Sequence, residues 1–538
     1  MVFVLVCVLG MSAISKDNGR LYEISKNIEI FVNVFKELNA NYVDDIDPAQ
    51  LMRTGIDAMV GSLDPYTNYI SESQVQGYRI DSEGKYEGIG AIVEKIGDYI
   101  TVVEPYENSP AMEAGLRAGD RIIEVDGLPT KGKTQAELSA FVRGLPGTKV
   151  NFTVERPGQS GTMDVVLTRG EVNITNVPYS GKVSDGIGYI SLTTFTPDAG
   201  KNVAGAFKEL QKDGDLKGLI LDLRNNGGGL LREAINVSNI WVEKDKEVVF
   251  VKGKVKERDN SFKTRNIPMD LELPLVVLTN KSSASASEIV SGVIQDMDRG
   301  VVIGQRSFGK GLVQNTKEVG FNSRIKLTTS KYYIPSGRCI QSVEYADGEP
   351  KDIPDDQRAV FKTMNGRSVL DGGGISPDIK MVVENIPDVV SSLRKERMIF
   401  HYVTERMKST ALDTPAMENI VFTDYQDFVT FVNGSDFKYV TKVEDEIEKL
   451  RDMDMNNPNI DLTSEIAALE RELQMQKEDD LTEFKPEITK LIEKEMATRY
   501  FHQKGKAYQS LKSDPVVDRA ISVLTNTQEY NKILNKLK

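Results

Sequence analysis

Leu275-Val276-Val277-Leu278-Thr279-Asn280-Lys281-Ser282-Ser283-Ala284-Ser285-Ala286-Ser287-Glu288 joins an apolar run to a serine-rich turn, and an apolar helical stretch, Ser287–Gln295, comes next. A short apolar run without polar alternation is the pattern of a strand buried on both faces. The same order recurs on either side. Upstream, Ile187–Leu192 reads as a strand, Gly200–Gln211 as a helix, Gly218–Leu223 as a buried strand and Leu230–Val242 as a helix. Downstream, Val301–Ile303 is a further strand. Such alternation predicts an α/β core with parallel strands. Its sites belong in the turns that leave the carboxyl ends of those strands.

Three such turns stand out. Asp222-Leu223-Arg224-Asn225-Asn226-Gly227-Gly228-Gly229-Leu230 has glycines that let backbone N–H groups approach a ligand closely; a flexible connector explains it about equally well. In Lys281–Glu288, the helix N-terminus offers unpaired N–H groups to an oxyanion. Serine-rich turns are also good helix caps, and Glu288 can complete a capping box with Ser285, so on local sequence alone the cap is favoured. Arg306-Ser307-Phe308-Gly309-Lys310-Gly311 sets a lysine between glycines, by default a solvated turn residue. It fails as a P-loop because Gly311 stands where that motif needs Ser or Thr.

Histidine scarcity shifts the balance. The chain has two, His401 and His502, both beyond these turns. A multi-histidine metal site is nearly excluded, neither HExxH nor GxSxG occurs, and no cofactor or metal is expected. A serine nucleophile without histidine needs another base. A desolvated lysine is the recognised substitute, because burial disfavours the charged amine.

The flanks differ in texture. Residues 20 to 80 read as helices, with Ile28, Phe31, Val32, Val34, Phe35 and Leu38 as an apolar stripe and a second helix from Asp47-Pro48 to Gly61. From Gly88 come short β runs (Ala91–Val93, Tyr99–Val103, Arg121–Val125, Val150–Val154, Met163–Leu167), with helical pieces at Pro110–Ala114 and Gln135–Arg143. After Asp378 the chain turns charged and helical, broken at Asn456-Asn457-Pro458-Asn459. Val2 to Ile14 is an apolar run too short to span a bilayer comfortably and suits a signal-like or anchoring segment. A net charge of −13 argues against binding nucleic acid, and two cysteines, Cys7 and Cys339, against a disulfide framework.

Taken together, Ser-Ala-Ser-Ala-Ser-Glu (Ser283 to Glu288), Gly309 to Gln314 and the Asp222–Gly229 turn resemble the carboxyl-terminal processing peptidases of family S41. The resemblance runs from about Tyr42 to Ile379 in the family's order. It implies Ser285 as nucleophile, Lys310 as general base, Gln314 as the residue that positions the lysine, and the N–H groups of Gly228 and Ala286 as oxyanion donors. Gly227 departs from a position where the family often has proline. Tyr86-Glu87-Gly88-Ile89-Gly90 resembles the carboxylate-binding loop of the family's PDZ domain, and Gly115–Ile122 its companion motif. Gly88, Ile89 and Gly90 are then expected to bind a substrate tail by strand addition.

The resulting expectation is an α/β, ClpP/crotonase-like peptidase core with an inserted PDZ domain, a helical N-terminal segment and a helical C-terminal extension. Its boundaries are 1–15 for the signal-like segment, 16–80, 81–172 for the PDZ domain, 173–384 for the core and 385–538. The function expected is a serine endopeptidase, exported to the periplasm or cell envelope, cutting proteins with free, apolar C-termini. An N-terminal membrane tether goes with that location. For 385–538, an oligomerisation arm, a partner platform and a helical pack against the core all stay open. The rival readings are an inactive PDZ scaffold, which has no use for an intact Ser/Lys/Gln set, and a crotonase-like acyl-CoA enzyme, which leaves the PDZ segment unexplained.

Overall fold

A computed structural model describes residues 2–75, 78, 85–134, 137, 141–212, 214–341, 343–346, 349–352, 354–382, 386–408, 415–456 and 461–536. The chain forms two compact units. One comprises residues up to 75, 314–329 and 344–351, and the other comprises the rest.

In the first unit, helix Val2–Asn41 is continuous, so no break in the backbone sets the signal-like stretch apart from the remainder of the helix. No helix among the described residues is long and apolar enough to cross a membrane. The expected apolar stripe is mostly exposed, with Ile28 59% and Phe31 48% accessible, so periodicity here marks a face without a core beneath it. Helix Pro48–Gly61 has the predicted bounds because Asp47 Oδ1 accepts the Ala49 and Gln50 N–H groups at 2.8 and 3.3 Å. The all-helical expectation for 20–80 fails at Asn68–Ile70, a strand antiparallel to Arg324–Lys326. Three residues carry no periodicity, and the partner lies far along the chain.

In the second unit, the small β domain is a sheet in the order Ala91–Ile96, Tyr99–Pro105, Arg121–Val125, Lys149–Glu155, Thr162–Thr168. Alternate residues such as Ile100, Val102, Ile122, Val150, Phe152 and Val154 fill its core. The expected helix Gln135–Arg143 lies largely outside the described residues, as does the break at Asn457–Asn459.

The larger sheet runs Tyr179–Ser184, Ile187–Ser191, Gly218–Asp222, Leu275–Thr279, Val301–Gly304, Ile379–Lys380, and every pairing but the first is parallel. Both faces are covered, which is why its strands read as apolar runs. Leu219, Leu221, Leu275, Val277 and Val302 meet helices Ala199–Lys212, Leu231–Ser238 and Ala286–Asp296. Ile220, Val276, Leu278, Val301 and Ile303 meet Val516, Val517, Ala520, Val523, Leu524, Tyr530 and Leu534 of the extension. The helix expected over Leu230–Val242 stops at Ser238, and the turn beyond it drives Trp241, fully buried, edge-on against Phe207 at 5.8 Å between ring centroids. Earlier parts of the extension pack on themselves around Leu393, Val403, Phe428, Ile488 and Ile492. Among the three uses left open for 385–538, packing against the core is the one these contacts display.

Candidate active site

Ser285 sits between strand Leu275–Thr279 and helix Ala286–Asp296, half-buried, with φ 56° and ψ −113°. An ordinary N-cap lies in the β region. A serine held at positive φ is strained, and strain of that kind persists where the surroundings over-determine it. The capping box expected from Ser285 and Glu288 is present, with Glu288 accepting the Ser285 N–H at 2.8 Å, but a cap by itself does not call for a positive φ.

The glycine turn closes on this residue. Gly228 has φ +100°, and a Cβ there would fall 2.8 Å from Ser285 Cβ and 2.9 Å from Ala286 N. Only glycine allows this approach, which brings Gly228, Ser285 and Ala286 together. The Gly228 N–H donates to Asn226 Oδ1 at 2.9 Å, and Asn226 Nδ2 is fixed to Leu192 O at 2.7 Å. Ala286 opens its helix, where no carbonyl of an earlier turn takes the N–H. Gly227 has open space at its Cβ position and no positive φ, so nothing at this position demands glycine.

Lys310 is brought to the same place by a carboxylate. Fully buried, Glu288 accepts the N–H groups of Ser285 and Lys310 at Oε2, both at 2.8 Å. At Oε1 it accepts Ser307 Oγ at 2.5 Å and the Gly309 N–H at 2.6 Å. Tyr332 adds a second tie, its hydroxyl reaching Ser285 O at 3.2 Å and also Lys310 O. Gln341 Oε1 holds the Gly311 N–H at 2.8 Å. The lysine side chain is half-buried. Gln314 belongs to the other compact unit, where its Nε2 donates to Thr328 Oγ1 at 3.2 Å, and Thr328 Oγ1 in turn donates to Asp64 Oδ1. His401 and His502 lie on extension helices Met398–Met407 and Lys485–Leu511.

Burial pushes the Glu288 pKa up to about 7 in spite of those four donors. The ionised form is the one that can accept all four, so a proton below about pH 7 displaces a donor and loosens the Ser285–Lys310 tie. Infrared difference spectra should show a protonated carboxyl titrating near pH 7 that vanishes in Glu288→Gln, with hydrolysis declining in step below that pH. A band that titrates near the ordinary carboxylate value would remove this link.

In the small β domain, Gly90 has φ +78° and no room for a side chain, since a Cβ would meet Ser109 Cβ at 2.3 Å. Gly88 bridges to Arg143, and the Ile89 N–H donates to Val142 O at 3.1 Å. Of the loop N–H groups expected to take a carboxylate, that of Ile89 is therefore engaged in this conformation. Strand Ala91–Ile96 stands at the end of the sheet order, next to Tyr99–Pro105 among the described residues, and follows directly on this loop.

Residues 186–349 match peptidase family S41, 101–156 a PDZ domain, and 389–524 the C-terminal helical domain of a probable PDZ-protease. The chain is 36% identical over 321 residues to a carboxy-terminal-processing protease of Bartonella bacilliformis, an alignment that takes in 59% of this chain and 73% of that protein. It is 37% identical over 318 residues to a probable CtpA-like serine protease of Staphylococcus aureus, taking in 58% of this chain but only 62% of the relative. A solved photosystem II D1 C-terminal processing protease matches at 27% identity with a TM-score of 0.37, over 66% of this chain and 93% of that one.

Proposed function

This chain belongs to peptidase family S41, and from that premise we propose that it cuts proteins near their C-termini through Ser285 and Lys310. It is a serine-type peptidase with a PDZ domain. The observation that carries the residue assignment is the Glu288 carboxylate, which ties the turn bearing Ser285 to the turn bearing Lys310.

In the proposed reaction, Ser285 Oγ attacks the scissile carbonyl while neutral Lys310 takes its proton, and the Gly228 and Ala286 N–H groups receive the oxyanion. The Gly228 N–H must exchange Asn226 Oδ1 for the substrate oxygen. Lys310 then protonates the leaving amine, and water releases the acyl group by the reverse sequence. Gln314 orients the lysine. The sheet with its crossover helices supports a core of the ClpP/crotonase type. Domain boundaries of 1–15, 16–80, 81–172, 173–384 and 385–538 belong to this proposal. So do an extracytoplasmic location, an N-terminal tether, self-association and a preference for apolar tails.

Tail recognition rests on the Gly88-Ile89-Gly90 loop that leads into Ala91–Ile96 and on the PDZ match over 101–156. Strand addition supplies backbone hydrogen bonds, and the terminal carboxylate sets register. Removing one charge-assisted contact costs about 1.5–3 kcal/mol, roughly a ten- to hundredfold change in affinity. Amidating the C-terminus of a good substrate peptide should raise KM by that factor. Equal cleavage of amidated and free-acid peptides would refute tail recognition and leave the Ser285 assignment standing.

A further inference from the structure

We propose that Asp514, in the helical extension, is a positioning residue for the oxyanion turn and acts through Arg224, so that the extension completes the active site. The proposal rests on Gly228 being an oxyanion donor. Arg224 lies in the same turn, four residues before Gly228. Its Nη2 reaches Asp222 Oδ2 at 2.6 Å and Asp514 Oδ2 at 2.7 Å, so one guanidinium serves two carboxylates. The three side chains are largely withdrawn from water, with 18% of Arg224, 7% of Asp222 and 16% of Asp514 exposed, where ion pairs are screened little.

The two carboxylates do different work. Asp222 ends its own strand and holds Arg224 locally, accepting the Arg224 backbone N–H at 2.8 Å and Nε at 3.0 Å, while Tyr189 donates to it at 2.6 Å. Asp514 reaches in from a distant part of the chain. Its Oδ1 caps helix Pro515–Thr525 by accepting the Val516 and Val517 N–H groups at 3.0 and 3.3 Å, which leaves Oδ2 for the guanidinium. That helix is locked to the sheet by Val516, Val517, Ala520 and Val523, so Asp514 is a fixed point.

The turn needs one. Asn225, Gly228 and Gly229 take φ of 60°, 100° and 145°, values that asparagine and glycine reach readily but that a glycine, free to leave them, does not hold by itself. Asn280 holds the middle of the turn, accepting the Asn225 N–H and donating to Asn225 Oδ1, both at 2.9 Å. Arg224 clamps its start. If that clamp relaxes, the Gly228 N–H moves relative to Ser285. An oxyanion donor displaced by even about 1 Å forfeits much of its effect.

Asp514→Asn separates the two duties, because asparagine caps a helix as well as aspartate does and lacks the charge. The full-length variant should keep its melting temperature, with KM little changed and kcat lowered by about tenfold. Labelling with a fluorophosphonate is the second readout. There Ser285 Oγ bonds to phosphorus, fluoride leaves, the serine proton passes to Lys310, and the phosphoryl oxygen occupies the oxyanion site. Its rate should fall by the same factor while final stoichiometry stays at one. Wild-type kcat and labelling rate would overturn the proposal, as would a lowered stoichiometry with an unchanged rate, which signals only lost folded protein. Ser285→Ala serves as the control. Labelling and hydrolysis that survive in it refute the active-site assignment itself, whereas a dead Ser285→Ala beside a fully active Asp514→Asn refutes this inference alone.

Discussion

Ser285→Ala and Lys310→Ala should each reduce peptide hydrolysis by about 10³- to 10⁶-fold, the scale seen when a nucleophile or its base is removed from a unit that acts together. Both variants should fold. Ser285 stands at φ 56°, and alanine there meets the same backbone strain as serine while losing only the hydroxyl. The ties from Glu288 and Tyr332 go to backbone atoms of residues 285 and 310, which both substitutions retain. Lys310→Arg should stay dead, because a guanidinium does not give up its proton at any working pH. His401→Ala is the contrasting control, since His401 lies on an extension helix against Phe400. Kinetics with matched circular dichroism spectra decide the matter. An active Lys310→Arg, or a folded His401→Ala as inactive as Ser285→Ala, sinks the dyad.

The second large effect is on stability. Arg338 is 1% exposed, and its Nη2 donates to Asp296 Oδ1 at 2.7 Å and Gln295 Oε1 at 2.8 Å, at the carboxyl end of the helix that begins with Ala286. Asp296 is also buried and accepts the Ser336 N–H at 3.0 Å. Arg338→Met fills similar space but strands a carboxylate in a site sealed from water, a change that costs about 3–5 kcal/mol. Replacing both partners, Arg338→Met with Asp296→Leu, should recover much of that loss, since the stranded charge is what destabilises. Urea unfolding followed by the fluorescence of Trp241, which is buried in the same hydrophobic core as helix Ala286–Asp296, provides the measure. A single variant within about 1 kcal/mol of wild type (roughly a fivefold shift in the folding equilibrium) would show that the pair contributes nothing.

Much of the core was legible because local pattern and tertiary role agree there. Strands Arg121–Val125 and Leu275–Thr279 have the bounds their apolar runs predict, and Asp47-Pro48 starts a helix as its cap chemistry dictates. Legibility fails where the partner is remote. Asn68–Ile70 becomes a strand only because Arg324–Lys326 lies alongside, and Trp241 ends its helix early to reach Phe207. The candidate site divides the same way. Ser285 and the Gly228 turn are visible as strand–turn–helix junctions, yet what binds them is not. Glu288 has the spacing of a cap and also works as a clamp between turns, Tyr332 carries no local signal, and Asp514-Pro515 signals a helix start but not the reach to Arg224. The exposed stripe on Val2–Asn41 shows the opposite error, since periodicity records a face but not what covers it.

The helices that cover one face of the large sheet also set the timing of its birth. The strand Ile379–Lys380 completes the sheet, but Val516 to Leu534 close its second face. Roughly 150 residues separate them, about 8 to 30 s of synthesis at ordinary rates of translation. Throughout that interval Ile220, Val276, Leu278 and Ile303 have no permanent cover, and a nascent chain at this stage is a client for chaperones. The contact of Asp514 with Arg224 arrives with that same cover, among the last parts of the chain to be made.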